Sequence, residues 1–598
     1  MKSAFGKLFA ILSSKEKRHL WWILVMMIFM GFFEIVGVGS IMPFISVVSD
    51  PSQIETNRYL SWAYTTFGFR STRAFLLVFG VGVMGFLVMS NASRALVAWT
   101  MHHYSSMRLH SVGHRLLRRY LDQPYVYFLN QNTSVLAKNI LNEVSAVIKS
   151  FLTPALNFTA KAVLSASIIG LLVAVDPVLA LMITGVLTAA YAVVFVLVRR
   201  RLSIIGDERV QSNVDRFKYA SEAMSGIKDI KLLGKEQTFL RAFSRPSKTY
   251  ARAEASSAII AELPKYFLET IAFGGVLLIV LYLIQTRGDF AQIVPVISLY
   301  ALAGYRLMPA LQSLFRAFAK MRYSAPLVDV LYQDIQGWQE VKQRGLSAPV
   351  RQIPFTQHFS LQGIRFRYPS SDETIIKDQS LTVKKNTTVG FVGPTGCGKT
   401  TMVDIILGLL VPEAGSITVD ATPITDENRR NWQANLGYVP QQIYLTDDTI
   451  ARNIAFGVLP EEVDNAAVQR AAGIANLHDF IVNELPRGYQ TVVGERGIRL
   501  SGGQRQRIGI ARAMYHDPDV LILDEATSAL DNLTEQAIME AIHNLSHQKT
   551  IIMIAHRLTT VRECDTIYMM DHGVIVDSGR YNDLLSRNAD FRRMVDGT

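Results

Sequence analysis

Cysteine is almost absent: Cys397 and Cys564 are the only two among 598 residues. Placed 167 positions apart, they supply neither a disulfide framework nor a metal-ligand cluster. Charge is also scarce, at 19% of residues, where an ordinary soluble protein carries about 25%. Apolar residues reach 49% and the mean hydropathy is +0.20, so part of the chain belongs in lipid. Acidic residues are the scarcer sign, leaving a net charge of +11. In a soluble protein that excess would suggest nucleic acid; beside long apolar runs it reads as basic cytoplasmic loops, and a nucleic-acid partner is excluded. The N-terminal stretch "MKSAFGKLFAILSSKEKRHL" is basic and amphipathic but lacks a small-residue cleavage site. It reads as a cytoplasmic surface helix and not as a removable signal.

Six apolar runs fall at about 20–48, 74–100, 151–175, 178–198, 266–285 and 291–321, each near or above the roughly 20 residues that cross a bilayer. "KEKRH", "HRLLRRY", Arg199 to Arg201 and "AKMRY" lie at the ends on one side, while "VDP" and "QTRGD" carry little charge. The basic side faces the cytoplasm, together with the N-terminus and the whole C-terminal half. Residues 101–150 and 199–265 are too long and polar for turns; their apolar positions recur at three and four, which predicts helical extensions into the cytoplasm. The first external loop, 49–69, spaces Tyr59, Leu60, Trp62, Tyr64 and Phe67 as a short amphipathic helix. It reads as an interfacial anchor, with a substrate contact as the alternative.

Composition changes near residue 330. Residues 1–330 read as an α-helical polytopic membrane domain, 331–350 as a linker, and 351–598 as a soluble α/β domain. Within the last, Gly393-Pro394-Thr395-Gly396-Cys397-Gly398-Lys399-Thr400, followed by Thr401, fits G-x-x-x-x-G-K-[ST] between an apolar strand and a helix. Such a loop wraps phosphates with backbone N–H groups at a helix N-terminus. Lys399 would reach the β- and γ-phosphates of ATP, and the Thr400 hydroxyl would hold Mg2+. "DVLILDEATSALD" is an apolar strand ending in two carboxylates: Asp524 for the metal, and Glu525 to polarise the attacking water. Gln441 suits both metal and water, and His556 ends another apolar strand where it can touch the γ-phosphate. Ser501, Gly502, Gly503 and Gln504 open a further helix suited to anions, and Tyr368 can stack on a nucleobase.

In this order the motifs resemble an ATP-binding-cassette (ABC) nucleotide-binding domain, and six spans before one cassette are similar to an exporter-type half-transporter. The resemblance implies a homodimer, with ATP between the Walker motifs of one cassette and the signature, Leu500–Gln504, of the other. It also implies a D-loop at Ser528–Asp531 and coupling helices near 120–128 and 211–222. Cys397 departs from the serine common at its position. A thiol beside a helix N-terminus and Lys399 is expected to have a lowered pKa and to make ATPase activity sensitive to thiol reagents.

The membrane half resembles one branch, the Pgl-type flippases for lipid-linked oligosaccharides of bacterial protein N-glycosylation. The resemblance rests on "ILSSKEKR", "FFEIVGVGSIMPFI", the aromatic external loop and "YRLMPALQ", with "PQQIYLTDDTIARNIAFG" in the cassette. It implies movement of a polyisoprenyl-pyrophosphate oligosaccharide between leaflets of the bacterial inner membrane. Arg306 falls in mid-span, where a cation costs about 2.5–3.5 kcal/mol on insertion scales and commonly marks a ligand path. With Arg94 and Lys265 it is expected to hold the pyrophosphate. The competing reading pairs Arg306 with Glu34 or Glu269 and lets Arg94 and Lys265 snorkel. Lipid A, multidrug or peptide export stays open as an alternative, as does an ATP-gated channel or regulator, against which the intact Glu525 counts.

Overall fold

The computed structural model describes residues 2–287, 290–336, 350–369, 371–494, 497–525, 532–555 and 557–596. The chain forms two compact units, one of residues 1–123 with 131–341, the other of 124–130 with 342–598.

The first unit is helical. α1 (Lys2–Ile11) buries Ala4, Leu8 and Ile11 on one face and ties Lys7 to Asp329 at 2.7 Å. Ser13 then caps α2 (Ser14–Gly39) in a box with Glu16, whose carboxylate also pairs with Arg108 at 2.5 Å and Arg115 at 3.1 Å. The glycines of "GVG" and Pro43 break the first span at Ser40, and α3 (Ile41–Ser49) continues it. Outside lie α4 (Gln53–Thr56) and α5 (Arg58–Thr66). On α5, Leu60 and Tyr64 turn inward onto Phe69 and Phe75, while Tyr59 and Trp62 stay exposed, the amphipathic helix expected there.

α6 (Thr72–Leu121) runs unbroken for 50 residues, roughly 75 Å, so the second span and its cytoplasmic extension are one element. α7 (Tyr125–Leu129) belongs to the second unit. α8 (Thr133–Lys138), α9 (Val144–Val147) and α10 (Thr153–Val175) form one run joined by wider π turns at Asn139–Glu143 and Ile148–Leu152. Asp176 caps α11 (Pro177–Ser225), where Pro177 at the first position has no N–H to leave unpaired. α12 (Ile227–Leu233), α13 (Glu236–Arg287) and α14 (Phe290–Gln336) complete the unit.

Among the described residues, Ser14–Ser49, Thr72–Leu121, Thr133–Val175 and Pro177–Ser225 are long and apolar enough to cross a bilayer. The fifth and sixth expected spans, 266–285 and 291–321, lie in α13 and α14. Two expectations need correction. Residues 211–222 are not a separate coupling helix, since α11 runs through them. The chain breaks later, at Gly226 and at Gly234, whose φ of 60° favours glycine. The sixth helix also continues to Gln336, past the expected linker start at 331, while 337–349 lie outside the described residues.

The second unit is α/β. Strands β1 (His358–Arg367), β2 (Thr374–Lys384), β3 (Thr388–Val392), β4 (Ala414–Val419), β5 (Thr422–Pro423), β6 (Leu436–Val439), β7 (Val520–Asp524), β8 (Thr550–Ile554), β9 (Thr566–Asp571) and β10 (Val574–Gly579) make two sheets. The order β10-β9-β3-β8-β7-β6 is parallel except at the β9–β10 edge. Every residue of β3, β7 and β8 is buried, which is why these strands read as continuous apolar runs and not as alternating ones. The antiparallel sheet β2-β1-β4-β5 shares a core with Phe359, Phe391 and Trp432. Trp432, fully buried, satisfies its Nε1–H on the Ile406 carbonyl at 2.8 Å. Val126 of α7 packs on this same cluster.

Candidate functional site

β3 stops at Val392 and α15 (Lys399–Ile406) starts seven residues on, so the glycine loop is held between a buried strand and a helix N-terminus. Gly393, Gly396 and Gly398 take φ of 148°, 83° and 104°, a region open to glycine at little cost. At Gly393 space decides as well, because a Cβ would sit 2.0 Å from the Met570 carbonyl oxygen. Pro394, Thr395 and Gly396 form the exposed crest. The Lys399 Nζ donates back to the Gly393 and Pro394 carbonyls at 2.8 and 3.0 Å, holding an ammonium under the loop. Thr400 is exposed at the mouth, whereas Thr401 is buried and shares a 3.1 Å hydrogen bond with the Tyr368 hydroxyl. Tyr368 thereby sits against the phosphate-loop helix.

β7 delivers the acidic pair. Asp524 is buried and accepts from the Tyr438 hydroxyl at 3.3 Å. Glu525 follows with φ of 48°, unusual for a residue with a side chain, and its N–H donates to the Ile554 carbonyl at 3.2 Å. Gln441 Nε2 donates to Glu525 Oε2 at 2.6 Å, which brings together two residues 84 positions apart. Asp404, on α15, lies beside this group: burial first, then the nearby Asp524 charge, push its carboxyl up to about 6. Sequence reasoning passed over Asp404 and Tyr438, whose interactions with Asp524 join residues 120 and 86 positions apart.

Ser501 caps the helix Gly502–Met514, accepting from the Gln504 N–H at 3.2 Å while Gln504 Oε1 accepts from the Ser501 N–H at 2.8 Å. This reciprocal box fixes the helix N-terminus and leaves Gly502 exposed and Gly503 buried. His556 and the D-loop Ser528–Asp531 lie outside the described residues. Cys397 corrects an expectation. Its thiol is 5% exposed, and burial raises its pKa above the ordinary value even though Lys399 Nζ stands 3.8 Å away.

The loop crest, Lys399 and the exposed Thr400 fit a triphosphate. Asp524, Thr400 and Gln441 offer only oxygen donors, the set that suits Mg2+. When bound, the ion would neutralise charge on the terminal phosphates.

The three membrane cations have different surroundings. Arg306 is not a free cation: its Nη1 lies 2.6 Å from Oε1 of Glu34, which has no exposed surface. Of the two readings weighed for it, the geometry is that of the ion pair. Lys265 stands 4.0 Å from Glu269 and 5.7 Å from the Tyr266 ring centre, on a half-exposed stretch of α13. Arg94 Nη1 donates to the neutral Asn91 Oδ1 at 3.3 Å.

Comparison with known proteins agrees with this geometry. The ABC transporter transmembrane region matches residues 20–307, and the ABC transporter domain matches 376–528. An ATP-dependent lipid A-core flippase of Saccharophagus degradans is 36% identical over 389 residues, 64% of either chain. One from Bordetella avium is 36% identical over 396 residues, 65% of either chain. The chain therefore spans just under two thirds of the length of these relatives. A bacterial Atm1-family ABC exporter solved with ATP bound shares the fold, with a TM-score of 0.73 at 23% identity over 97% of this chain and 98% of that one. With an ABC transporter transmembrane region over 20–307 and an ABC transporter domain over 376–528, which together match most of its length, the chain belongs to the ABC transporters.

Proposed function

We propose that two copies of this chain form an ATP-driven lipid flippase of the bacterial inner membrane, carrying a polyisoprenyl-pyrophosphate oligosaccharide to the outer leaflet for protein glycosylation. The observation that carries the ATP-driven part is the Gln441–Glu525 contact at 2.6 Å beside Asp524, which holds a carboxylate ready to orient water next to a metal-binding one. Tyr368 would stack on the base, Lys399 and the loop N–H groups would hold the phosphates, and the partner's signature serine and glycines would close the site. His556 is proposed as a γ-phosphate contact on sequence grounds alone. Lipid cargo is supported by the flippase relatives, and the pyrophosphate-sugar headgroup by the Pgl-type resemblance of the membrane half.

A second reading, lipid A-core transport, is favoured by the names of those relatives. Both cargoes are phosphorylated lipids, so the two readings differ in tail and sugar. Proteoliposomes holding a fluorescent polyisoprenyl-pyrophosphate oligosaccharide or labelled lipid A separate them. Wild type should move the first with ATP, and Glu525→Gln should abolish movement while still binding ATP. Transport of lipid A alone would replace the first reading by the second.

A further inference from the structure

We infer that Arg512, near the end of the helix Gly502–Met514, is the positioning residue of Gln441: it ties the loop that carries the glutamine to the helix that begins at the signature. The inference rests on the role proposed above for Gln441 and adds a residue that none of the motifs contains.

Gln441 stands in the connection between β6, which ends at Val439, and the short helix Ile450–Ile454. The near end of this connection is fixed, because β6 pairs with β7 as far as Val439 opposite Leu523, next to Asp524. Beyond Gln441 the backbone does little to hold itself. Among the described residues, 441–445 make no backbone–backbone hydrogen bond, so their placement falls to side chains. Arg512 reaches them from the helix. Its Nη1 donates to the Tyr444 carbonyl at 2.7 Å, its Nε to the Asn453 carbonyl at 2.8 Å and its Nη2 to Asn453 Oδ1 at 3.3 Å. The guanidinium also lies 4.7 Å from the ring centre of Phe456, a cation over an aromatic face. Meeting two separate carbonyls from one rigid plane is a task for arginine; a lysine ammonium keeps the charge and has no such fork.

Asn453 is the other half of the clasp. It has no exposed surface, its Nδ2 donates to the Thr446 and Thr449 carbonyls at 3.0 and 3.1 Å, and its Oδ1 accepts the Thr446 N–H at 3.0 Å. Gly509, one turn before Arg512 on the same helix, lies so close to Ile443 that a Cβ would sit 2.4 Å from Ile443 Cδ1. Ile443 and Tyr444 are thus held by the helix directly, and Thr446 through Asn453. Three residues of chain reach at most about 10 Å, so a shift of the helix is passed to Gln441 and to its 2.6 Å contact with Glu525. One rod carries the signature serine and glycines at its start and this clasp at its end. The glutamine that orients water is therefore set by where the signature helix lies.

The test is steady-state ATP hydrolysis by the full-length protein in proteoliposomes. Wild type is compared with Gln441→Ala, Arg512→Met, Arg512→Lys and each Arg512 change combined with Gln441→Ala. Gln441→Ala and Arg512→Met should each lower kcat, the latter by about tenfold to a hundredfold, the scale on which a misplaced group slows a reaction. The KM for ATP should stay within about twofold of wild type, because uniform nucleotide binding is untouched. Arg512→Lys should fall between wild type and Arg512→Met. Once Gln441 is gone there is nothing left to position, so either Arg512 change should lower kcat by less than about twofold further. Where Arg512→Met does not fold, Arg512→Lys carries the same cycle. Arg512 losses that multiply in full onto that of Gln441→Ala would overturn the positioning role and leave the role of Gln441 standing. Wild-type kcat in either Arg512 variant, or a change confined to KM, would overturn it too. Wild-type kcat in Gln441→Ala would remove the role of Gln441 itself, and the inference with it.

Discussion

Replacing Glu34 by alanine should cost this protein more than any surface substitution, and the reason lies in what is left behind. Glu34 has no exposed surface, and its partner Arg306 is 10% exposed. Removing the carboxylate strands a guanidinium out of water, which costs about 3–5 kcal/mol when a buried pair is broken from one side. The hydrogen bond from Ser90 is lost too, worth about 0.5–1.5 kcal/mol. Removing both charges at once should behave differently. In Glu34→Leu/Arg306→Met neither charge is stranded, so only the Ser90 term and packing remain, and the variant should come within about 1–2 kcal/mol of wild type. The cycle formed with Arg306→Met should thus show a coupling of at least about 2 kcal/mol. Unfolding in mixed micelles of rising SDS content, followed by tryptophan fluorescence, measures each corner. Additive single effects, with coupling below about 0.5 kcal/mol, would refute the pair as a structural element. Transport by the stable double variant then shows whether Arg306 also touches cargo.

Two further outcomes follow from the cassette. Asp404 titrates near 6 in place of its ordinary 3.8, so between about pH 4 and 6 the folded chain holds a proton that the unfolded chain has lost. Stability therefore falls as pH rises through that window, by about 1–2 kcal/mol once solvent screening is allowed for. Asp404→Asn should be more stable than wild type at pH 7 and equal to it near pH 4, in denaturant titrations without Mg2+ or nucleotide; a constant difference across pH would refute the account. The buried, pKa-raised Cys397 should react slowly with iodoacetamide in the folded protein, with a rate still climbing at pH 9, and Cys397→Ser should keep ATPase activity. A rate that levels off below pH 8 would show a low-pKa thiol instead.

Much of the site was legible because it is local. The phosphate loop, the acidic pair at the end of β7 and the capping box Ser501–Gln504 are set by residues a few positions apart, and backbone sterics and helix-end hydrogen bonding act at that range. Long apolar runs announced the membrane helices for the same reason.

What the sequence could not decide is pairing across distance. Arg306 finds Glu34 272 positions away, and nothing in the run around Arg306 distinguishes that carboxylate from Glu269. Whether Cys397 is activated depends on whether burial outweighs a neighbouring lysine, a balance set by how the loop packs against β10's preceding turn, where the Gly573 N–H donates to the Cys397 carbonyl at 3.0 Å. The sequence by itself determined a membrane-helical part, an ATP-binding part and the ATP chemistry, since each is written in short-range pattern. The tertiary structure alone decided which buried charges are matched, because a charge is matched by whatever the fold brings within a few ångströms of it.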